Sequence, residues 1–188
     1  MTASVGAMAV AALDLFTESV EGTPPEHLDR PSNLAGWSVR ELVGHATGSA
    51  AKVVALVEGG ELWGRSEPSD WICDDPAARL RALAARLRTA LPAADLDAPR
   101  PSPAGEVPLS RALTFPVSDL ALHAWDVHRS QGRPFDLPES LLTFCRTLTD
   151  SVPEEQLRRP GAFGPPHPAP ENATPTTRLM AHLGREVD

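Results

Sequence analysis

Apolar residues return along this chain at helical rather than strand intervals. Between about residues 4 and 20, Met8, Ala11, Leu13, Leu15 and Phe16 come back to one side, and Gly22-Thr23-Pro24-Pro25 ends the run. A second helix is signalled from about Val39 to Glu58. Ser38 followed by Glu41 has the spacing of a capping box, and Trp37 with Leu42 that of a hydrophobic staple. Leu42, Ala46, Ser49, Val53 and Leu56 form its stripe, and Gly59-Gly60 closes it. A third helix opens at Asp75-Pro76, where a proline is tolerated, and carries Leu80, Leu83, Leu87 and Leu91. A fourth spans about Leu109 to Ser130 and ends near Gly132; Pro116 inside it removes one backbone hydrogen bond and predicts a bend. A fifth, about 138–150, starts at Pro138-Glu139 and buries Leu141, Leu142, Phe144 or Cys145, and Leu148. A short last helix, about 175–184, carries Leu179, Met180 and Leu183 and stops at Gly184. No stretch alternates with a period of two. Four long amphipathic helices and two short ones read as an all-α bundle.

Composition modifies this picture in a few places. Twenty prolines, clustered at 92–108 and 153–175, exclude long helices there and predict irregular connections. A chain of 188 residues suits a single domain, here taken as 1–188. The net charge of -8 and the scattering of the basic residues argue against a nucleic-acid partner. No apolar stretch has the length of a membrane span. The N-terminus lacks a basic region and Asp14 interrupts its apolar run, so it reads as a helix and not as a signal peptide. Cys73 and Cys145 lie far apart without CxxC spacing, which fits a reducing, cytoplasmic setting. Apolar surface on the two short helices leaves a homodimer open.

The candidate chemistry sits on the fourth helix. Asp119 and His123 are four residues apart and differ by about 40° around the axis, and Asp126 returns to within about 20° of Asp119. Phe115 shares this side, and Leu122 and Val127 bracket it. Burying such groups unpaired costs several kcal/mol on the usual scale, so they pair with one another and with polar neighbours, or they bind a metal. An ordinary i,i+4 pair is the plainer reading of Asp119 and His123. His45 lies about 60° from Leu42 on the second helix and faces inward or along the edge of the buried face. Taken alone it reads as a core histidine. Taken with the pair it completes a three-ligand divalent site with an open position, built from facing helices. Asp126 either orients a ligand imidazole or bonds a neighbouring loop.

Other candidates fare less well. His128 sits about 140° from His123 and points away. His27, His167 and His182 lack ligand spacing and read as surface residues. No GxSxG, HExxH, phosphate loop or dinucleotide fingerprint is present. Trp37, Trp63, Trp71 and Trp125 are core or staple residues, or line a pocket.

Two segments resemble a known family. Trp37-Ser-Val-Arg-Glu-Leu-Val-Gly-His45 and Asp119-Leu-Ala-Leu-His123-Ala-Trp-Asp126 are similar to the actinobacterial branch of the DinB-like superfamily. This branch groups with the N-terminal metal-binding domain of mycothiol-dependent maleylpyruvate isomerase. Gly105-Glu106-Val107-Pro108, Gly161-Ala-Phe-Gly-Pro-Pro166 and Arg178-Leu-Met-Ala-His-Leu-Gly-Arg185 extend the likeness over nearly the whole chain. The resemblance implies a DinB-like four-helix bundle, with additional short C-terminal helices, holding one divalent metal. The family's ligands fall on His45, Asp119 and His123. In the isomerase the metal is zinc and the acidic ligand is a glutamate, one methylene longer than Asp119; nickel and manganese also suit such donors. That enzyme has a further C-terminal domain, for which this chain is too short. The implied activity is an isomerase or S-transferase reaction on a small electrophilic substrate, using mycothiol. A metal-dependent hydrolase or cyclase and a non-catalytic metal-binding or regulatory bundle are the alternatives.

Overall fold

The computed structural model describes residues 4–60, 68–102, 105–159 and 161–187. Trp63 lies outside them. Helix α1 (Val5–Glu21) is capped by Ser4, whose hydroxyl accepts from the Ala7 amide. Its buried stripe runs through Met8, Ala9, Ala12, Leu13, Phe16 and Val20, leaving Ala11 and Leu15 half-buried at its edge. Helix α2 (Val39–Val57) begins with the expected capping box. The Ser38 hydroxyl accepts from the Glu41 amide at 3.2 Å, and the Glu41 carboxylate accepts from the Ser38 amide at 2.8 Å. Helix α3 (Pro76–Ala90) has Asp75 as its cap and Pro76 in its first turn, and buries Leu80, Leu83, Ala84 and Leu87.

The long fourth helix of the sequence reading is two helices. Helix α4 (Leu109–Ala112) ends after one turn and α5 (Thr114–Arg129) follows. Pro116 accounts for the place of the break: it has no amide to offer the carbonyl of Ala112, four residues earlier, and its ring crowds that carbonyl. Hydrogen bonding resumes with the Val117 amide on the Leu113 carbonyl at 3.1 Å. Helix α5 packs against both α1 and α2, while α3 also packs on those two, giving a four-helix core. With neighbours on several sides, α5 buries nearly every residue from Pro116 to Val127; only Asp119 among them is partly exposed. Helix α6 (Glu139–Ser151) adds Leu141, Cys145 and Thr149 to the core, with Leu142, Phe144 and Leu148 half-buried.

The proline-rich stretches hold more structure than expected. Strands β1 (Pro99–Ser102) and β2 (Gly105–Pro108) pair antiparallel, Pro99 opposite Pro108 and Ser102 opposite Gly105. This corrects the reading of 92–108 as irregular and the expectation that no strand exists. A two-stranded ribbon leaves an outer edge on each strand, where proline's missing amide is tolerated. With only four residues per strand and no buried face, no alternation is imposed. Arg100 ties the ribbon to the bundle by donating from Nε to the Leu56 carbonyl at the end of α2. The second stretch contains a single turn, α7 (Glu154–Leu157), after Pro153.

The last helix, α8 (Pro175–His182), stops as predicted at Gly184. Gly184 has φ +81°, its amide donates to the Ala181 carbonyl, and the Arg185 amide donates to the Met180 carbonyl. These are the two bonds of a Schellman ending, which needs a left-handed residue where glycine is favoured. The architecture is therefore the expected all-α bundle, with short added C-terminal helices and one small ribbon. Among the described residues no helix is long and apolar enough to cross a membrane, and both cysteines are free.

Candidate metal centre

The capping box sets where α2 begins, and His45 follows two turns in, on the side facing α5. From α5, Asp119 and His123 face back. The Asp119 carboxylate sits between the two imidazoles: Oδ2 is 3.5 Å from His45 Nε2 and Oδ1 is 3.3 Å from His123 Nε2. One ligand atom from each of the three residues falls within 4.8 Å of the others. The His45 and His123 rings meet edge to face, centroids 5.0 Å apart. The Trp37 ring also packs on His45, centroids 5.0 Å apart. The Ser49 hydroxyl, one turn after His45, donates to Asp119 Oδ2 at 2.6 Å and ties the two helices at this level.

The cluster has a closed floor and an open side. The His123 side chain is 7% exposed, whereas those of His45 and Asp119 are about one-third exposed (33% and 32%). Phe115, one turn before Asp119 on the same side of α5, is 58% exposed, so this face opens to solvent at its start.

Beneath the floor lies Asp126, with no exposed surface. Its Oδ2 accepts from His123 Nδ1 at 2.9 Å and from Arg185 Nη2 at 3.0 Å. Its Oδ1 accepts from Asn33 Nδ2 at 2.7 Å, with Arg185 Nε at 3.4 Å. The two roles weighed for Asp126, orienting an imidazole and bonding a loop, are thus both present. An ionised carboxylate only accepts, so the proton between them belongs to His123 Nδ1. His123 Nε2 is then directed at Asp119 and His45. This is how a ligating histidine is held, its second nitrogen bonded to a carboxylate.

The electrostatics agree with the geometry. Burial alone would push His123 down, but Asp119 and then Asp126 outweigh it and lift its pKa from the ordinary 6.5 to about 9. Burial would raise Asp119; His123 first, then His45, hold it well below the usual carboxylate range instead. Asp126 is likewise held low against its own burial, by the Arg185 guanidinium and by His123. In the absence of metal the cluster therefore keeps a proton on His123, a positive charge placed between two carboxylates. Two imidazole nitrogens and a carboxylate oxygen converging within 4.8 Å are a donor set that suits a divalent metal with N,N,O ligation.

The remaining histidines stand apart. His128 points away, stacked on Phe135 at 4.1 Å. His167 and His182 are exposed and His27 is half-buried. Among the described residues, His45, Asp119 and His123 form the one such group of donors. Three contributors escaped the sequence reading: Asn33, Ser49 and Arg185. Ser49 left a signal, as a polar residue on the apolar stripe of α2. Asn33 left none, since a loop residue reveals no partner, and Arg185 stood only at the end of the family-like run Arg178–Arg185, which does not show what it pairs with.

Residues 9–128, which include all three donors and Asp126, match the family model of the mycothiol maleylpyruvate isomerase N-terminal domain. The chain belongs to that family. Two uncharacterized proteins of Mycobacterium tuberculosis, from different strains, are each 27% identical to it over 185 residues, covering 94% of both chains. The bundle also superposes on the crystal structure of the mycothiol-dependent maleylpyruvate isomerase, with a TM-score of 0.59 and 19% identity. That match covers 74% of this chain and 65% of the other, so the superposed part spans about two-thirds of that chain's length. A histidine-to-alanine variant of the same enzyme gives a TM-score of 0.58 at 18% identity. At such identities the likeness establishes the fold.

Proposed function

We propose that His45, Asp119 and His123 hold one divalent metal, and that the chain is a thiol-dependent metalloenzyme acting as a single domain. Zinc is the proposed metal, and nickel and manganese suit the same donors. The thiol is mycothiol, and the reaction is isomerisation or S-transfer on a small electrophile. The observation that carries this reading is the convergence of three donor groups from two helices, with the His123 ring aimed by Asp126 and one side of the cluster open. Membership in the isomerase-domain family supports the thiol and the reaction class.

Each residue then has a task. Asp126 keeps the His123 proton on Nδ1, leaving Nε2 for the metal. Ser49 holds the Asp119 carboxylate in place between the imidazoles. The exposed edge of His45 and Asp119 is where small molecules reach the site, with Trp37 as a wall beside His45. When bound, the metal supplies a Lewis-acid charge that stabilises a thiolate at neutral pH. Among the described residues the carboxylate beneath the donors, Asp126, is fully engaged, so a proton leaving the thiol would pass to water on the open side. Two free cysteines and a thiol cofactor accord with a reducing cytoplasm.

Metal analysis of the purified protein, wild type against His123→Ala, tests the first half. One metal per chain in the wild type and none in the variant are expected. An empty wild type after exposure to zinc, nickel and manganese would refute it. Calorimetry with mycothiol tests the second half. Binding should require the metal; metal without mycothiol binding, or mycothiol binding that survives a chelator, would overturn the thiol reading.

A further inference from the structure

The C-terminal tail reaches the metal centre through one side chain. Arg185 is 9% exposed, unusual for an arginine unless paired. It lies 59 residues from Asp126 in sequence and outside the residues 9–128 that match the isomerase family. Its guanidinium forks across both Asp126 oxygens, Nη2 to Oδ2 at 3.0 Å and Nε to Oδ1 at 3.4 Å, and Nη1 donates to the Leu183 carbonyl at 3.2 Å. The plane sits 5.4 Å over the Phe163 ring.

The backbone around it is arranged for this one placement. The Schellman ending of α8 turns the chain at Gly184 and delivers Arg185 inward. A Cβ on Gly184 would meet the Gly164 backbone at 2.8 Å, so these two segments of the tail touch where only glycine fits. Arg158 donates to the Gly164 carbonyl and holds that neighbouring segment.

We infer that Arg185 is a positioning residue for the metal centre, acting through Asp126 to fix the His123 imidazole, so that docking of the C-terminal tail sets metal affinity. The inference rests on the metal reading above. Asp126 accepts four donors, two of them from Arg185; without these the carboxylate is free to rotate about Asn33 and carries His123 Nδ1 with it. Arginine is suited to this because its fork fixes the orientation of a carboxylate, which a lysine ammonium, as a point charge, does not.

The test uses the full chain and zinc as probe, with Arg185→Ala, Arg185→Lys, Asp126→Asn and the Arg185→Ala/Asp126→Asn double variant. Zinc affinity is read by chelator competition, and the His123 ring N–H resonance by proton NMR on the metal-free protein. Arg185→Ala should weaken zinc about 10- to 100-fold, as losses of such outer partners do. Arg185→Lys should fall between it and the wild type, and it carries the comparison if the alanine variant does not fold. The double variant should be no weaker than Asp126→Asn alone, because one effect runs through the other. The ring N–H resonance, sharp in the wild type, should broaden in both Arg185 variants. Wild-type zinc affinity with an unchanged resonance in Arg185→Lys and Arg185→Ala would overturn the inference, as would losses that multiply in the double variant. A wild type that binds no metal defeats the metal reading instead, and the resonance then decides alone whether Arg185 positions His123.

Discussion

On the proposed metal reading, a proton and a metal would compete for His123, and this predicts opposite pH trends for the metal-free and metal-loaded protein. In the metal-free protein the folded imidazole titrates near 9 and the unfolded one near 6.5. A group whose folded pKa is raised contributes its full stability below the unfolded pKa and loses it as pH rises through the folded value. The contribution is therefore complete below about pH 6.5 and gone above about pH 9. At about 1.4 kcal/mol per pH unit, the lift corresponds to roughly 3 kcal/mol. The Asp119 partner is the other side of the same attraction and adds nothing further. Against a typical stability of about 5–15 kcal/mol, a change of that size moves a denaturation midpoint visibly.

The metal-loaded protein behaves in the reverse sense, because a ligating imidazole must be neutral and zinc then gains affinity as protons leave. Urea midpoints measured in steps from pH 6 to 9, in chelator and in zinc, should diverge with rising pH. His123→Gln is the control; it removes the His123 titration and keeps Cys145, whose thiol burial pushes from 9.0 to about 12, so the Cys145 contribution cancels in the comparison. If the metal-free wild type and His123→Gln share one pH dependence across this range, His123 is not the proton site and the electrostatic account of the cluster fails.

Three further substitutions separate the parts of the structure. Ser49→Ala removes the 2.6 Å bond to Asp119; the loss of about 1 kcal/mol expected of one such bond should appear as a several-fold weaker zinc affinity in chelator competition. Gly184→Ala combines φ +81° with a 2.8 Å approach to the Gly164 backbone. It should lower the thermal midpoint by more than Gly132→Ala, where φ is +66° and the space is open, and only Gly184→Ala should weaken zinc binding. Ser38→Ala breaks the capping box of α2 at a cost of about 1 kcal/mol in a urea titration, with zinc affinity unchanged because His45 lies two turns further in.

The helices and the three donors were legible because each depends on local geometry. Ser38 and Glu41 announce a helix start within four residues, and His45 takes its direction from Leu42 and Ala46 on the same helix. Asp119, His123 and Asp126 share a side of α5 by angle alone. Legibility failed where a local pattern had no reason to exist. The ribbon of Pro99–Ser102 and Gly105–Pro108 has no buried face to impose alternation, and Arg100 fastens it to Leu56 from outside. Pro116 was read correctly as a disturbance, but whether a proline bends or breaks a helix depends on its neighbours. Here the chain breaks at Ala112, where α4 ends after a single turn.

The partners of Asp126 mark a deeper limit. Asn33 and Arg185 reach it from 93 and 59 residues away, through a loop and a tail with no periodicity. Yet one of them, Arg185, decides the charge of the centre. Arg185 offsets Asp126, so the buried carboxylate can accept from His123 without adding net negative charge beneath the donors. Asp119 is then the one carboxylate left to balance a metal, and imidazoles that ligate one are neutral, so the three donors would carry a charge of minus one. On the proposed reading, a divalent cation held there would keep a net positive charge, which would favour an anionic thiolate on the open side. Without Arg185 the two carboxylates would bring the sum to zero, and the same three ligands would hold a metal with less pull on its substrate.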